Sequence, residues 1–175
     1  PTLVSLQSMF LLEHNRLAGQ LKARLGGLLD KMGEAEGDEL LYQETRRLLG
    51  AQLQNIVYRE WLPLVLGQAT MREHGLLLGD TSTYNNTANP SIRNEFSTVA
   101  FRFGHSLIAD VFQPVGHRAW PLKFHYFETD LFVRADQCKA WQHEIAGVIR
   151  QPSPAMDTCY AEATTDFLFC EKNGF

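Results

Sequence analysis

Apolar residues recur at three- and four-residue spacing from the start of the chain. Leu3, Leu6, Phe10, Leu17 and Leu21 fall on one helical face, and His14 fills the gap in the same stripe. That histidine reads as a core residue held by a backbone or side-chain partner, with Glu13 and Arg16 paired at i and i+3 on the flank. A second period through Tyr42, Leu49, Leu53 and Ile56, with Leu41 and Leu48 alongside, predicts a long helix. Between the two, Gly26 to Glu39 (GGLLDKMGEAEGDE) is rich in glycine and acid. It reads as a surface connection, with Asp38 as the N-cap of the second helix. Pro63 should end or kink that helix near Trp61, because proline lacks an N–H and its ring collides with the carbonyl four residues back. Tyr58, Arg59 and Trp61 sit at helical spacing, which reads as core packing with the arginine at its rim.

From Gly67 to Asn89 the glycines at 75 and 79 and the polar run DTSTYNNTAN predict a loop. Asn89-Pro90 then supplies an N-cap followed by proline at the first helical position, a start signal for a third helix. Ile92, Phe96, Val99 and Phe103 form one apolar face of it, while Phe101, His105 and Ile108 form another nearly opposite. A helix apolar on two sides belongs in an interior. Towards the end, Pro114, Gly116, Pro121, Pro152 and Pro154 divide the chain into short elements, and QCKAWQHEIAGVI predicts a helix of about three turns. No strand alternation is sustained and no period repeats; a phosphate loop and a nucleophile elbow are also missing from the sequence. The expected fold class is all-α, with short irregular connections.

A length of 175 residues is enough for one domain with a sizeable core. The net charge of −4 comes with scattered Lys and Arg and no basic stripe, which argues against nucleic acid as a partner. No apolar run of about 20 residues suggests a transmembrane segment, and no signal-peptide core is visible. Cys138, Cys159 and Cys170 fit no CxxC metal site; one bridged pair with a third left over, and three buried thiols, both stay open. Asn85-Asn86-Thr87 is an N-glycosylation sequon in a polar stretch and points to a secreted glycoprotein. His117, His125 and His143 are spaced irregularly, where a zinc site wants a tighter cluster with Cys or carboxylate partners.

The stretch richest in chemistry is FRFGHSLI, Phe101 to Ile108. Gly104 costs a helix interior roughly 1 kcal/mol relative to alanine, so its presence beside His105 invites a reason. Without a side chain there, a flat macrocycle or a neighbouring helix can lie close. Arg102 precedes His105 by three residues and shares its side of the helix. An imidazole for iron and a guanidinium for a propionate are what a haem asks of such a helix. A core histidine satisfied by a carbonyl or carboxylate is the competing reading of the same residues.

Three runs bring in a family. EHNRL from Glu13, LYQETRRLLGAQLQNIVYREWLPLVLG from Leu41 and YNNTANPSIRNEFSTVAFRFGHSLI from Tyr84 together resemble the animal haem peroxidases, in order and spacing as well as letters. The resemblance is dense to Ile108 and diffuse beyond it. Cyclooxygenases share EHNR but differ around FRFGHSLI. By resemblance His105 is the proximal ligand of the haem iron and Arg102 contacts a haem propionate, so both are cofactor-binding and His105 is the metal ligand; EHNR is scaffold.

The resemblance implies a haem b cofactor and peroxide-driven oxidation. Hydrogen peroxide is the oxidant, and a halide, thiocyanate, phenol or tyrosine is the small electron donor. The sequon and the cysteine usage point to a secreted or lumenal location. The family's distal arginine, the glutamate that can be ester-linked to haem, the distal histidine with its aspartate, and the proximal asparagine have no match in this chain. No catalytic residue is therefore identified within it. Residues 1–175 read as the proximal side of a larger mainly helical peroxidase domain. Calcium and an oligomeric state are compatible with such a parent, although no calcium site is visible in the sequence. Two rivals remain: a non-catalytic peroxidase-like module serving adhesion, matrix or partner binding, and a small helical interaction protein without haem.

Overall fold

The computed structural model describes residues 2–82, 84–127 and 140–170. Cys138 and the first residues of the QCKAWQHEIAGVI stretch lie outside them. The chain divides into two compact units: Met9–Ala88, and Pro1–Ser8 together with Asn89–Phe175.

Helices account for most of the Met9–Ala88 unit. Helix α1 spans Thr2–Leu29 and α2 spans Glu34–Ile56. The glycines at 26 and 27 do not break α1. Two interior glycines cost about 1 kcal/mol each, and the backbone bonding carries on past them, with the Asp30 N–H donating to the Gly26 carbonyl at 2.9 Å. The connection expected over Gly26–Glu39 therefore shrinks to Asp30–Gly33. Asp38 is not the N-cap: Gly33 takes that position, and Asp38 lies inside α2. Glu34 and Glu36 occupy the first turn, where negative charge meets the positive end of the helix dipole.

The expected pair of Glu13 and Arg16 forms with both guanidinium contacts, at 2.6 and 2.7 Å. Glu13 also accepts from Gln52 Nε2 of α2 at 3.0 Å. The Arg16 hydrogen bond first, and that of Gln52 second, hold the Glu13 carboxyl down at about 2. His14 packs its ring on Tyr42, 5.5 Å between centroids. Its Nδ1 lies 3.4 Å from Asn15 Oδ1, and its buried Nε2 has no hydrogen-bond partner among the described residues, so packing rather than a strong polar partner fixes it.

Pro63 acts as expected, by a specific route. Residues Val57–Trp61 form a π-helical turn in which the Leu62 N–H reaches back to the Val57 carbonyl, and α3, Leu62–Glu73, starts with the proline in its first turn. The wide turn absorbs the hydrogen bond that proline cannot make. A second kink sits at Gly67, whose φ of 78° is left-handed. Helical structure resumes to Glu73, so the loop expected from Gly67 begins only at Gly75, which ends α3 with φ 64° while the Leu76 N–H returns to the Met71 carbonyl at 2.8 Å.

The apolar stripes are less buried than their periodicity suggests. Leu3 is 67% exposed, Tyr42 49% and Trp61 43%, whereas the fully buried residues of α1 and α2 include the small polar Ser5 and Thr45. Trp61 is thus not core. Among the described residues the buried apolar side chains include Met71, Pro114, Leu122 and Ala163.

In the other unit, α4 covers Asn94–Thr98 and a 3₁₀ helix covers Ala100–Leu107. Strands β1, Val111–Phe112, and β2, Trp120–Pro121, pair antiparallel. A short 3₁₀ turn, Leu122–Phe124, follows. Helix α5 spans Ala140–Arg150, and a π-helical turn spans Ala163–Phe167. Two strands of two residues each leave the all-α class unchanged. The carboxylate of Glu144 on α5, 1% exposed, accepts from Thr2 Oγ1 at 2.7 Å and Ser5 Oγ at 2.6 Å, which fastens the first turn of α1 to α5.

Candidate functional site: the His105 segment

The single helix expected from Asn89-Pro90 through His105 is replaced by two shorter pieces. Asn89 Oδ1 accepts the Ser91 N–H at 2.9 Å, but the chain stays extended until Arg93, and α4 lasts only to Thr98. At Val99 the backbone leaves the helical region, with φ −122° and ψ −66°. Val99 is β-branched and Thr98 turns its hydroxyl back onto the Asn94 carbonyl at 2.7 Å; both features weaken a helix from inside.

The 3₁₀ geometry serves the site in one respect. At three residues per turn, side chains at i and i+3 eclipse, so Arg102 and His105 remain on one face, one turn apart. Just beyond them the segment is anchored by two residues that sequence reasoning passed over. Ser106, 3% exposed, accepts the Asp157 N–H on its Oγ at 3.2 Å. Asp110 takes the Ala163 N–H on its carboxylate at 2.8 Å and the Leu122 N–H on its carbonyl at 2.7 Å. Their only sequence signal was a short polar residue beside an apolar run.

His105 is half-buried and Arg102 is exposed. Neither side chain has a hydrogen-bond or ion-pair partner among the described residues. The satisfied core histidine, the competing reading, therefore lacks its partner here. A Cβ built on Gly104 meets nothing within 4 Å, so the space beside His105 is open. A partnerless imidazole, an adjoining open space and an unpaired guanidinium on the same face make a donor set that fits a haem edge.

The two apolar faces expected to be buried are largely exposed. Ile92 is 69% exposed, Val99 73% and Phe101 61%; Phe96 and Phe101 shelter each other at 5.5 Å between centroids. Periodicity states what these side chains gain from burial, and nothing among the described residues supplies the cover. His105 and Arg102 line neither the cavity of about 420 Å³ between Gln113 and Gln151 nor that of about 620 Å³ between Gln54 and Tyr84.

Of the three histidines weighed as a zinc set, the structure brings His117 and His143 together, at 2.7 Å between ring nitrogens. No group of three or more His, Cys, Asp or Glu side chains converges to hold a metal ion among the described residues, calcium included. Cys159 and Cys170 are unbridged. No helix among the described residues is long and apolar enough to cross a membrane.

Comparison with known proteins places these residues in context. The animal haem peroxidase family model matches residues 1–175. Mouse myeloperoxidase is 44% identical over 108 residues, 62% of this chain and 13% of that protein. The mouse peroxidasin homolog is 32% identical over 166 residues, 89% of this chain and 10% of that protein. The chain thus spans only about a tenth of the length of these relatives. Among solved structures, peroxidase A from Dictyostelium discoideum superposes with a TM-score of 0.72 at 27% identity, over 95% of this chain and 29% of that one. Matched end to end by the family model and folded like a solved, mainly helical peroxidase, the chain belongs to the animal haem peroxidase family.

Proposed function

We propose that the chain forms the proximal side of a haem peroxidase, in which His105 would bind the iron of haem b and Arg102 would hold a propionate. The intact protein would use hydrogen peroxide to oxidise a halide or a small phenolic donor. The observation that carries this reading is the partnerless, half-buried His105 imidazole beside the open space at Gly104, one 3₁₀ turn from an unpaired guanidinium.

When bound, haem supplies the redox chemistry; the protein orients and tunes it. His105 would hold the iron through a ring nitrogen, and an acceptor for its other N–H would make the ring more electron-rich. No such acceptor meets it among the described residues. Arg102, always charged, offers a planar fork matched to a carboxylate. Its exposure suits a propionate at the haem edge. A secreted or lumenal glycoprotein is the setting that goes with this reading, supported by the exposure of Asn85 and Thr87 in the sequon.

The test is spectroscopic, on haem-loaded protein. His105→Ala should abolish the iron–histidine signature in resonance Raman and alter the electron paramagnetic resonance spectrum. Arg102→Ala should keep that signature while weakening haem affinity about tenfold to a hundredfold, the loss of a charge-assisted hydrogen bond of roughly 1.5–3 kcal/mol. Survival of the signature in His105→Ala would assign the ligand to another histidine.

A further inference from the structure

His117 and His143 stand 26 residues apart in sequence, yet Nε2 of the first lies 2.7 Å from Nδ1 of the second. The rings are 4.9 Å apart between centroids, with 39° between their planes. Both are exposed. The backbones that carry them are held firmly. The Val115 N–H donates to the His143 carbonyl at 3.0 Å, and Gln113 Nε2 donates to the His117 carbonyl at 2.8 Å. Pro114 between them is fully buried. One turn along α5 from His143, Gly147 approaches Gln113 so closely that a Cβ would lie 2.1 Å from the Gln113 carbonyl oxygen.

We propose that His117 and His143 form a two-imidazole site for a divalent first-row transition ion, Zn²⁺ or Cu²⁺, with water completing the coordination. Two ring nitrogens can face each other at hydrogen-bond distance only when one carries the proton and the other offers its lone pair. Moving that proton to the outer nitrogen of the same ring, with no net change in protonation, leaves two lone pairs converging on one point. Imidazole nitrogen is the ligand that borderline ions of this row prefer. With metal–nitrogen bonds of about 2.0–2.1 Å and a tetrahedral angle, two ligand nitrogens stand about 3.3 Å apart. The rings need to part by about half an ångström, which rotation of exposed side chains provides. Glu144, next in sequence, is engaged by Thr2 and Ser5 and is no part of the set. A bound ion would tie the turn that follows β1 to α5, and binding to the folded state alone raises its stability.

The experiment needs no haem and so stands apart from the reading of His105. The 175-residue chain, without a polyhistidine tag and stripped on a chelating resin, is titrated with zinc chloride or copper sulfate. Binding is followed by calorimetry and, for zinc, by ¹H–¹⁵N spectra of the histidine rings. Expected are one ion per chain, shifts at the rings of His117 and His143, and a raised melting temperature. His117→Ala and His143→Ala should each weaken binding at least about tenfold, because the chelate is lost, and His74→Ala should leave it unchanged. Circular dichroism of His117→Asn and His143→Gln, expected to match that of the wild type, separates loss of the ligand from loss of the fold. Single variants that bind as tightly as the wild type, or ring shifts confined to other histidines, would overturn the proposal.

Discussion

At the scale of single residues, the side chains that decide most are polar ones with distant partners. Glu144 keeps a buried carboxylate on two hydroxyl donors, with no cation partner among the described residues. Hydrogen bonds to charged groups contribute on the order of 1.5–3 kcal/mol each, and orphaned buried hydroxyls cost more. Glu144→Ala should therefore destabilise the chain by about 2–4 kcal/mol, read as a lower denaturation midpoint. Glu144→Gln, which keeps one acceptor oxygen, should lose less. Glu13 makes a prediction in pH. Its folded value of about 2 lies below the ordinary 4.5, so its contribution is complete above pH 4.5 and is lost as pH falls toward 2. The side chain is partly exposed, so the effect is modest and screened by salt. A carboxyl-carbon NMR titration should place the Glu13 midpoint well below those of unpaired glutamates, and Arg16→Ala should return it toward them.

Elements end and bend where the backbone leaves them no choice. Pro63 forces the wide turn Val57–Trp61, and Gly67 and Gly75 take positive φ at the kink and the end of α3. Two other glycines separate packing from chemistry. Gly147 lets α5 touch the Gln113 backbone, so Gly147→Ala should push the helix away and cost about 1–3 kcal/mol. Gly104 has open space around it, and Gly104→Ala should leave thermal stability within about 0.5 kcal/mol of the wild type. On the proposed reading the same substitution should weaken haem retention, because a methyl group then occupies the ground beside His105. Thermal melts of both variants and a haem titration of Gly104→Ala check the contrast; equal haem affinity would mean that Gly104 does not face the cofactor.

For the whole molecule, the small number of buried apolar side chains among the described residues sets the expectations. Large apolar residues such as Phe101, Val99 and Leu3 face solvent, while Met71, Leu122 and Ala163 are buried. A chain with 45% hydrophobic residues gains stability by covering such surface. On the proposed reading the distal groups of the family are not among its residues. The 175-residue chain supplied with haem should accordingly show peroxidase turnover no higher than free hemin. Guaiacol or iodide oxidation well above that background, and lost in His105→Ala, would show that the chain is catalytically sufficient.

The sequence by itself determined the helical class, the kink at Pro63, the Glu13–Arg16 pair and the family, because each depends on residues close along the chain or on a motif read letter by letter. Helical spacing and i,i+3 pairing are local physics. It misjudged where local signals compete. Glycines at 26 and 27 looked like breakers but were carried by the helix around them, and an apolar run beginning at Asn89-Pro90 looked like one helix but changed geometry at Val99. Tertiary structure alone decided the partners of Glu144, Ser106 and Asp110 and the meeting of His117 with His143. Those contacts join residues 12 to 142 positions apart. No periodicity encodes such a separation; it exists only once loops have closed and helices have packed.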